Sequence, residues 1–317
     1  MKRYLLLLVT GLLISSGLFA QQLGRRTQFM FNPYLVNPAV AGTKNYTPIM
    51  MSFRNQWAGF EGAPKTYTVS GHASLPHNIG VGGILYSDNT GGAISRTGLE
   101  LTGAYKVDLT NEDQISFALS PVIGQYKFNN DSLVYYDPND QALLGGLEKN
   151  MTFDANFGML VYGTNYMFGF SIPNLMQAKL KLENNSNGEE NQFVRHYYFM
   201  GSYKYYLSDN FDIQPSVLTK FTAVTPVQFD LNVKGTYQDM IWAGIGYRHR
   251  DAIAIMLGAE YFDFTLGYAY EITTTDASNF SPHTHELTVG YNIPRANPRF
   301  KKGRMNGRIV PRKKIFK

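Results

Sequence analysis

The chain has 317 residues and no cysteine, which excludes disulfides, thiolate catalysis and cysteine-held metals. Charged residues are scarce at 17%, against the roughly 25% usual in soluble domains. After residue 20 no apolar run reaches the ~18 residues that a transmembrane helix needs, which excludes a helical membrane bundle. No phosphate-binding loop and no glycine-rich dinucleotide turn is present. No Ser, His and Asp set is spaced as a nucleophile with its base, so no catalytic residue, cofactor or metal is assigned.

What is abundant is aromatic: 22 Tyr and 21 Phe, together with 30 Gly. Such a composition suits many short strands and tight turns, and aromatic girdles at two membrane interfaces. The first twenty residues carry Lys2-Arg3, an apolar stretch through Phe19 and a small residue at Ala20. That pattern is expected to be a secretory signal peptide, residues 1–20. The missing cysteine excludes a lipid anchor at the cleavage point. An exported chain without membrane helices can span lipid only as a closed β-barrel, because only that structure then satisfies its backbone.

The stretch from Pro226 to Tyr270 carries the clearest pattern. Val227, Phe229, Leu231 and Val233 alternate with Gln228, Asp230, Asn232 and Lys234; Ile253, Ile255 and Leu257 do the same after two tight turns. Period two means strands with one apolar face. Continued along the chain, this reading predicts an all-β, antiparallel, up-and-down transmembrane β-barrel of about fourteen strands over residues 46–293. Residues 21–45 are expected as a lead-in: either a free leader, or an ordered segment in the lumen or at the periplasmic rim. Its aromatic content favours order. Residues 294–317 are expected as a basic tail.

Connections sort by parity. Every long one (55–64, 129–151, 173–193, 272–283) follows an odd-numbered strand, and those after even-numbered strands are short. Short periplasmic turns and long outer loops are the outer-membrane pattern. Both termini are accordingly expected in the periplasm. Residues 295–317 hold ten Lys/Arg and no acid, whereas 21–294 hold seventeen basic against twenty-four acidic residues. The nominal basicity therefore belongs to the tail and does not argue for nucleic acid. Arg96, Glu100, Lys106, Asp154, Asp230, Lys234, Asp263 and Glu271 fall on polar faces, where mixed signs suit internal salt bridges. His283 and His285 share a face beside Glu286, but no third ligand is spaced for a metal. The turn Arg248–Asp251 reads as a charged outer turn.

Gln28–Asn32, Asn37-Pro-Ala-Val-Ala-Gly42, Arg54-Asn-Gln-Trp-Ala-Gly59, Gly62-Ala-Pro64, Thr66, His72, Gly82-Gly83 and Asp88 together resemble the PorP/SprF family. The resemblance implies an outer-membrane barrel of the type IX secretion and gliding-motility apparatus. It implies partners as well: secreted cargo or adhesins, and a periplasmic protein linked to peptidoglycan, besides outer-membrane lipid. The residues expected to contact partners are Asn32, Asn37, Pro38, Gly42, Arg54 and Trp57, with Lys301, Lys302, Arg304, Arg312, Lys313 and Lys314 in the tail. The expected function is non-enzymatic support of cargo export or anchoring; the alternative is a porin-like channel for small solutes.

Overall fold

The structure is a computed structural model and describes residues 27–59, 61–129, 147–180, 191–223, 225–275, 278, 281 and 283–294. The expected signal peptide, the basic tail from Arg295 and the centres of the two longest polar connections lie outside the described residues.

Fourteen antiparallel strands close into a barrel. They are β1 Tyr46–Asn55, β2 Lys65–Ser74, β3 Ile79–Thr90, β4 Ile94–Asp108, β5 Gln114–Asn129, β6 Leu147–Tyr162 and β7 Tyr166–Ile172. The second half comprises β8, in two pieces His196–Tyr203 and Tyr205–Ser208, then β9 Phe211–Thr222, β10 Gln228–Tyr237, β11 Ile241–Arg248, β12 Ala252–Tyr261, β13 Phe264–Thr273 and β14 His283–Pro294. Each strand pairs with its sequence neighbours, and β1 closes the ring on β14 with Tyr46 opposite Pro294. A two-residue ribbon, Lys179–Leu180 with Asn191–Gln192, sits in the connection between β7 and β8.

The period-two pattern decides the faces. Along β11 and β12 exposed Ile241, Ile245, Ile253, Ile255 and Leu257 alternate with buried Trp242, Ala254 and Met256. The outer face is thus apolar all round, as lipid requires. Aromatics cluster at both ends of this face. Tyr105, Tyr203, Phe211, Tyr237, Tyr261 and Tyr291 mark the short-turn end, and Tyr67, Phe221, Phe229 and Tyr247 the long-loop end.

Three short turns carry adjacent residues of positive φ: His77-Asn78, Gln238-Asp239 and Phe262-Asp263. Two left-handed residues in a row give the hairpin twist that continues a right-twisted sheet. Phe262 and Asp263 therefore form a turn, although alternation in the sequence assigns them to the following strand. Strand β6 is five residues longer than its pattern indicates. Glu148, Lys149 and Asn150 read as loop, yet they complete the pairing with Phe128, Lys127 and Tyr126 of β5.

The barrel is not hollow. Residues 27–42 lie against its inner face and supply the apolar core. Tyr34, Ala39, Val40 and Ala41 pack with Ile84, Ala104, Ala118 and Leu160. Phe29 and Val36 pack with Tyr198, Met200 and Leu218, and Met30 with Trp242, Met256 and Ala269. Two 3-10 turns, Pro33–Leu35 and Pro38–Val40, make this segment compact; each begins on a proline after an asparagine. Thr27 stands at the long-loop end, whereas Gly42 and Pro294 stand at the short-turn end.

Candidate functional site

Among the described residues, buried polar side chains converge on the lumen and its plug. Asn32 donates from Nδ2 to Ser70 Oγ at 2.9 Å, on β2. Tyr34 shares a hydrogen bond of 2.7 Å with Thr102 on β4, and Thr102 another of 2.8 Å with Ser120 on β5. Asn37 caps the second 3-10 turn by accepting from the Ala39 N–H at 2.9 Å. Its Nδ2 donates to the carbonyls of Met159 (3.0 Å) and Phe170 (3.3 Å), joining β6 to β7. The Gly42 N–H donates to His72 Nδ1 at 3.2 Å, and Lys106 Nζ donates to the Gly42 carbonyl at 2.8 Å.

Near the long-loop rim the inner wall carries a continuous ionic ladder. Lys220 pairs with Asp230 at 3.0 Å, and Asp230 with Arg248 at 3.2 Å. Arg248 also pairs with Asp251 at 3.1 Å and with Glu271 at 2.6 Å. Arg54 bridges Glu271 and Glu286, the latter at 3.0 Å. Thr27 completes it: its N–H donates to Glu286 at 3.1 Å and its hydroxyl accepts from Arg54. Charges in a lumen are tolerable when each has a partner, and this ladder pairs them across six strands.

The connection after β7 folds over the mouth. Asp154 accepts from the N–H groups of Met176 and Ala178, both at 2.9 Å. Phe193 lies against Tyr126, and the Arg96 guanidinium sits near Tyr86, Tyr126 and Phe193, 4.9–5.9 Å from the ring centres. Beneath this cover, on the upper surface of the plug, lies a polar cavity of about 120 Å3 lined by Tyr34, Tyr86, Arg96, Glu100, Asn156 and Lys220 among others.

Of the residues expected to contact partners, Asn32, Asn37, Pro38 and Gly42 are buried in the plug, and Arg54 is buried in the ladder. Their contacts are with the barrel's own wall. Trp57 is half-buried in the rim turn after β1, where its N–H donates to Thr284. The six tail residues lie outside the described residues. His283 and His285 sit on the outer, lipid-side face, hydrogen-bonded through Nδ1 to the hydroxyls of Tyr270 and Tyr268. Among the described residues no three metal-ligating side chains cluster. Arg248 and Asp251, which the sequence places in a charged, solvated outer turn, are instead buried in the ladder, and sequence spacing does not join them to Glu286 because that residue comes from β14. The available signal was an ionisable residue at the long-loop end of successive inner faces.

The family described as "Type IX secretion system membrane protein PorP/SprF" matches residues 18–291. No curated protein matches the chain. Among solved structures, the toluene transporter TbuX of Ralstonia pickettii aligns at 8% identity with a TM-score of 0.48, covering 85% of this chain and 94% of that one. The CymD monoaromatic hydrocarbon channel aligns at 10% identity and 0.48, covering 87% and 94%. The KdgM porin aligns at 10% and 0.38, covering 77% and 98%. A match over nearly the whole chain, on a closed barrel with an apolar outer belt, makes this an outer-membrane protein, and the chain belongs to the PorP/SprF family of type IX secretion system membrane proteins.

Proposed function

We propose that this component supports export or surface anchoring of particular cargo proteins through protein–protein contacts, not through conduction. One observation carries this: residues 27–42 fill the barrel with a packed apolar core, and the cavity beneath the long loops measures about 120 Å3. A filled lumen leaves the rims, the long loops and the terminal segments as working surfaces. In this reading the long loops face the cell exterior, and the short turns and Pro294 face the periplasm. Asn32, Asn37, Pro38, Gly42 and Arg54 serve by holding the plug that shapes the outer mouth, and Trp57 lies on that mouth. Lys301, Lys302, Arg304, Arg312, Lys313 and Lys314 give the C-terminal side a dense positive charge suited to an acidic periplasmic partner, such as a protein linked to peptidoglycan.

The test is purification from detergent-solubilised outer membrane of the full chain and of a chain ending at Pro294. A secreted surface protein is expected with both, and a periplasmic partner with the full chain only. Capture of neither, together with steady ion conductance of the pure protein in a planar bilayer, would establish the porin reading instead.

A further inference from the structure

The passage of residues 27–42 through the lumen has a direction. Thr27 is fixed to Arg54 and Glu286, which face each other across β1 and β14 next to the Asn55–His285 pair at the rim. The space beside Thr27 is lined by Arg248 and Ala252, the two residues that flank the rim turn between β11 and β12. Gly42 is held at the other mouth by His72 and Lys106, each two residues from the short-turn end of its strand. The chain then enters β1 at Tyr46, opposite Pro294.

Fourteen wall crossings alone return a chain to the side on which it began. The lumenal passage adds one more. We infer that the chain enters the barrel through the long-loop mouth, so that what precedes Thr27 stands on the opposite side of the membrane from Pro294. With the orientation proposed above, on which this placement at the cell surface rests, the N-terminal end of the exported protein is an outer-surface element beside the long loops and not a periplasmic leader.

Charge favours the same mouth. Around Thr27 the described ladder sets four carboxylates, Asp230, Asp251, Glu271 and Glu286, against three cations, Arg54, Lys220 and Arg248. Arg25 and Arg26 immediately precede Thr27 in sequence. Carboxylates in a low-dielectric mouth attract a cation more strongly than carboxylates in bulk water do.

The cysteine-free sequence allows a clean test, since a single introduced cysteine is the only thiol. Gln22→Cys is compared with Glu61→Cys in the exposed turn after β1 and Glu112→Cys in the exposed short turn after β4. Intact and permeabilised cells are treated with a membrane-impermeant maleimide. The expected result is that Gln22→Cys labels in intact cells to the extent of Glu61→Cys, while Glu112→Cys labels only after permeabilisation. Labelling of Gln22→Cys in step with Glu112→Cys, or only after unfolding, overturns the inference. If Glu112→Cys labels in intact cells and Glu61→Cys does not, the orientation is reversed. The inference that the two ends lie on opposite sides then still stands or falls by whichever control Gln22→Cys follows.

Discussion

At the scale of the residue, the plug is specified by what the wall omits. A Cβ on Gly82 would stand 2.5 Å from the Tyr34 hydroxyl, and one on Gly80 would collide with the carbonyl of Ala41. Gly158 and Gly169 likewise leave the space that Asn37 occupies between β6 and β7. Gly83, the next residue on β3, faces outward, where an added Cβ has its nearest neighbour at 3.6 Å. Gly82→Ala is therefore expected to lower the temperature at which the barrel loses its heat-modifiable folded band on gels, and Gly83→Ala to leave it in place. Equal behaviour of the two variants would mean that Tyr34 does not set the fit. Arg54 is the second test. Its guanidinium is buried between Glu271 and Glu286, so Arg54→Ala removes the cation paired with Glu286 and leaves Glu271 to Arg248 alone. Removing one partner of a buried pair costs about 3–5 kcal/mol. Urea unfolding in detergent should show a loss of that order, and a loss within the error of the wild-type midpoint would remove the ladder from the stability argument.

The same residues show how far the sequence could be read. The abundance of glycine reads as a sign of turns, and some glycines do sit there, Gly91 and Gly92 with positive φ. The wall glycines at 80, 82, 158 and 169 serve a different end, and nothing local distinguishes them, because the atoms they accommodate lie tens of residues away. Asn32, Asn37, Pro38 and Gly42 are legible as an ordered turn-rich motif, since two Asn-Pro pairs restrict the backbone. That they face inward is not legible, because an all-polar and an all-lumenal environment select similar residues.

At the scale of the element, alternation identified the strands wherever both faces kept to type, as in β12 with matching bounds at Ala252 and Tyr261. It failed where register, not polarity, governs. Glu148 to Asn150 belong to β6 because β5 continues beside them, and Phe262 leaves its strand because a two-residue hairpin demands left-handed backbone there. The plug has no such neighbour in sequence; its element is defined by three separate core clusters. Those clusters make it the seal of the lumen. Deleting Gln28 to Ala41 is expected to turn a non-conducting barrel into one that passes small ions in a planar bilayer, since the inner wall left behind is lined by Ser, Thr and paired charges. A folded deletion variant with no conductance would place the seal in the connection after β7, where Phe193 and Asp154 hold the cover.

At the scale of the whole molecule, the barrel turns an ordinary soluble arrangement outside in. Its ladder charges are buried and paired, and large apolar side chains of its wall are exposed: Ile245 is 65% exposed while Glu271 is 2% exposed. In water such a surface would aggregate; in lipid the outer belt costs nothing, and the lumen holds the ionic ladder. The position of the membrane then follows from depth. Leu257 lies at the middle of β12 on the outer face, and Ile272 lies one residue from the long-loop end of β13 on the same face. Arg at the bilayer midplane of such a barrel costs about 2–4 kcal/mol, falling to about 0–1 near an interface. Leu257→Arg should accordingly depress refolding into bilayer vesicles strongly and Ile272→Arg only slightly. Equal losses would mean that the apolar belt extends past the Phe229 and Tyr247 girdle. In that case the rim turn carrying Trp57 would itself lie in lipid, and the outer mouth could not offer it to a protein.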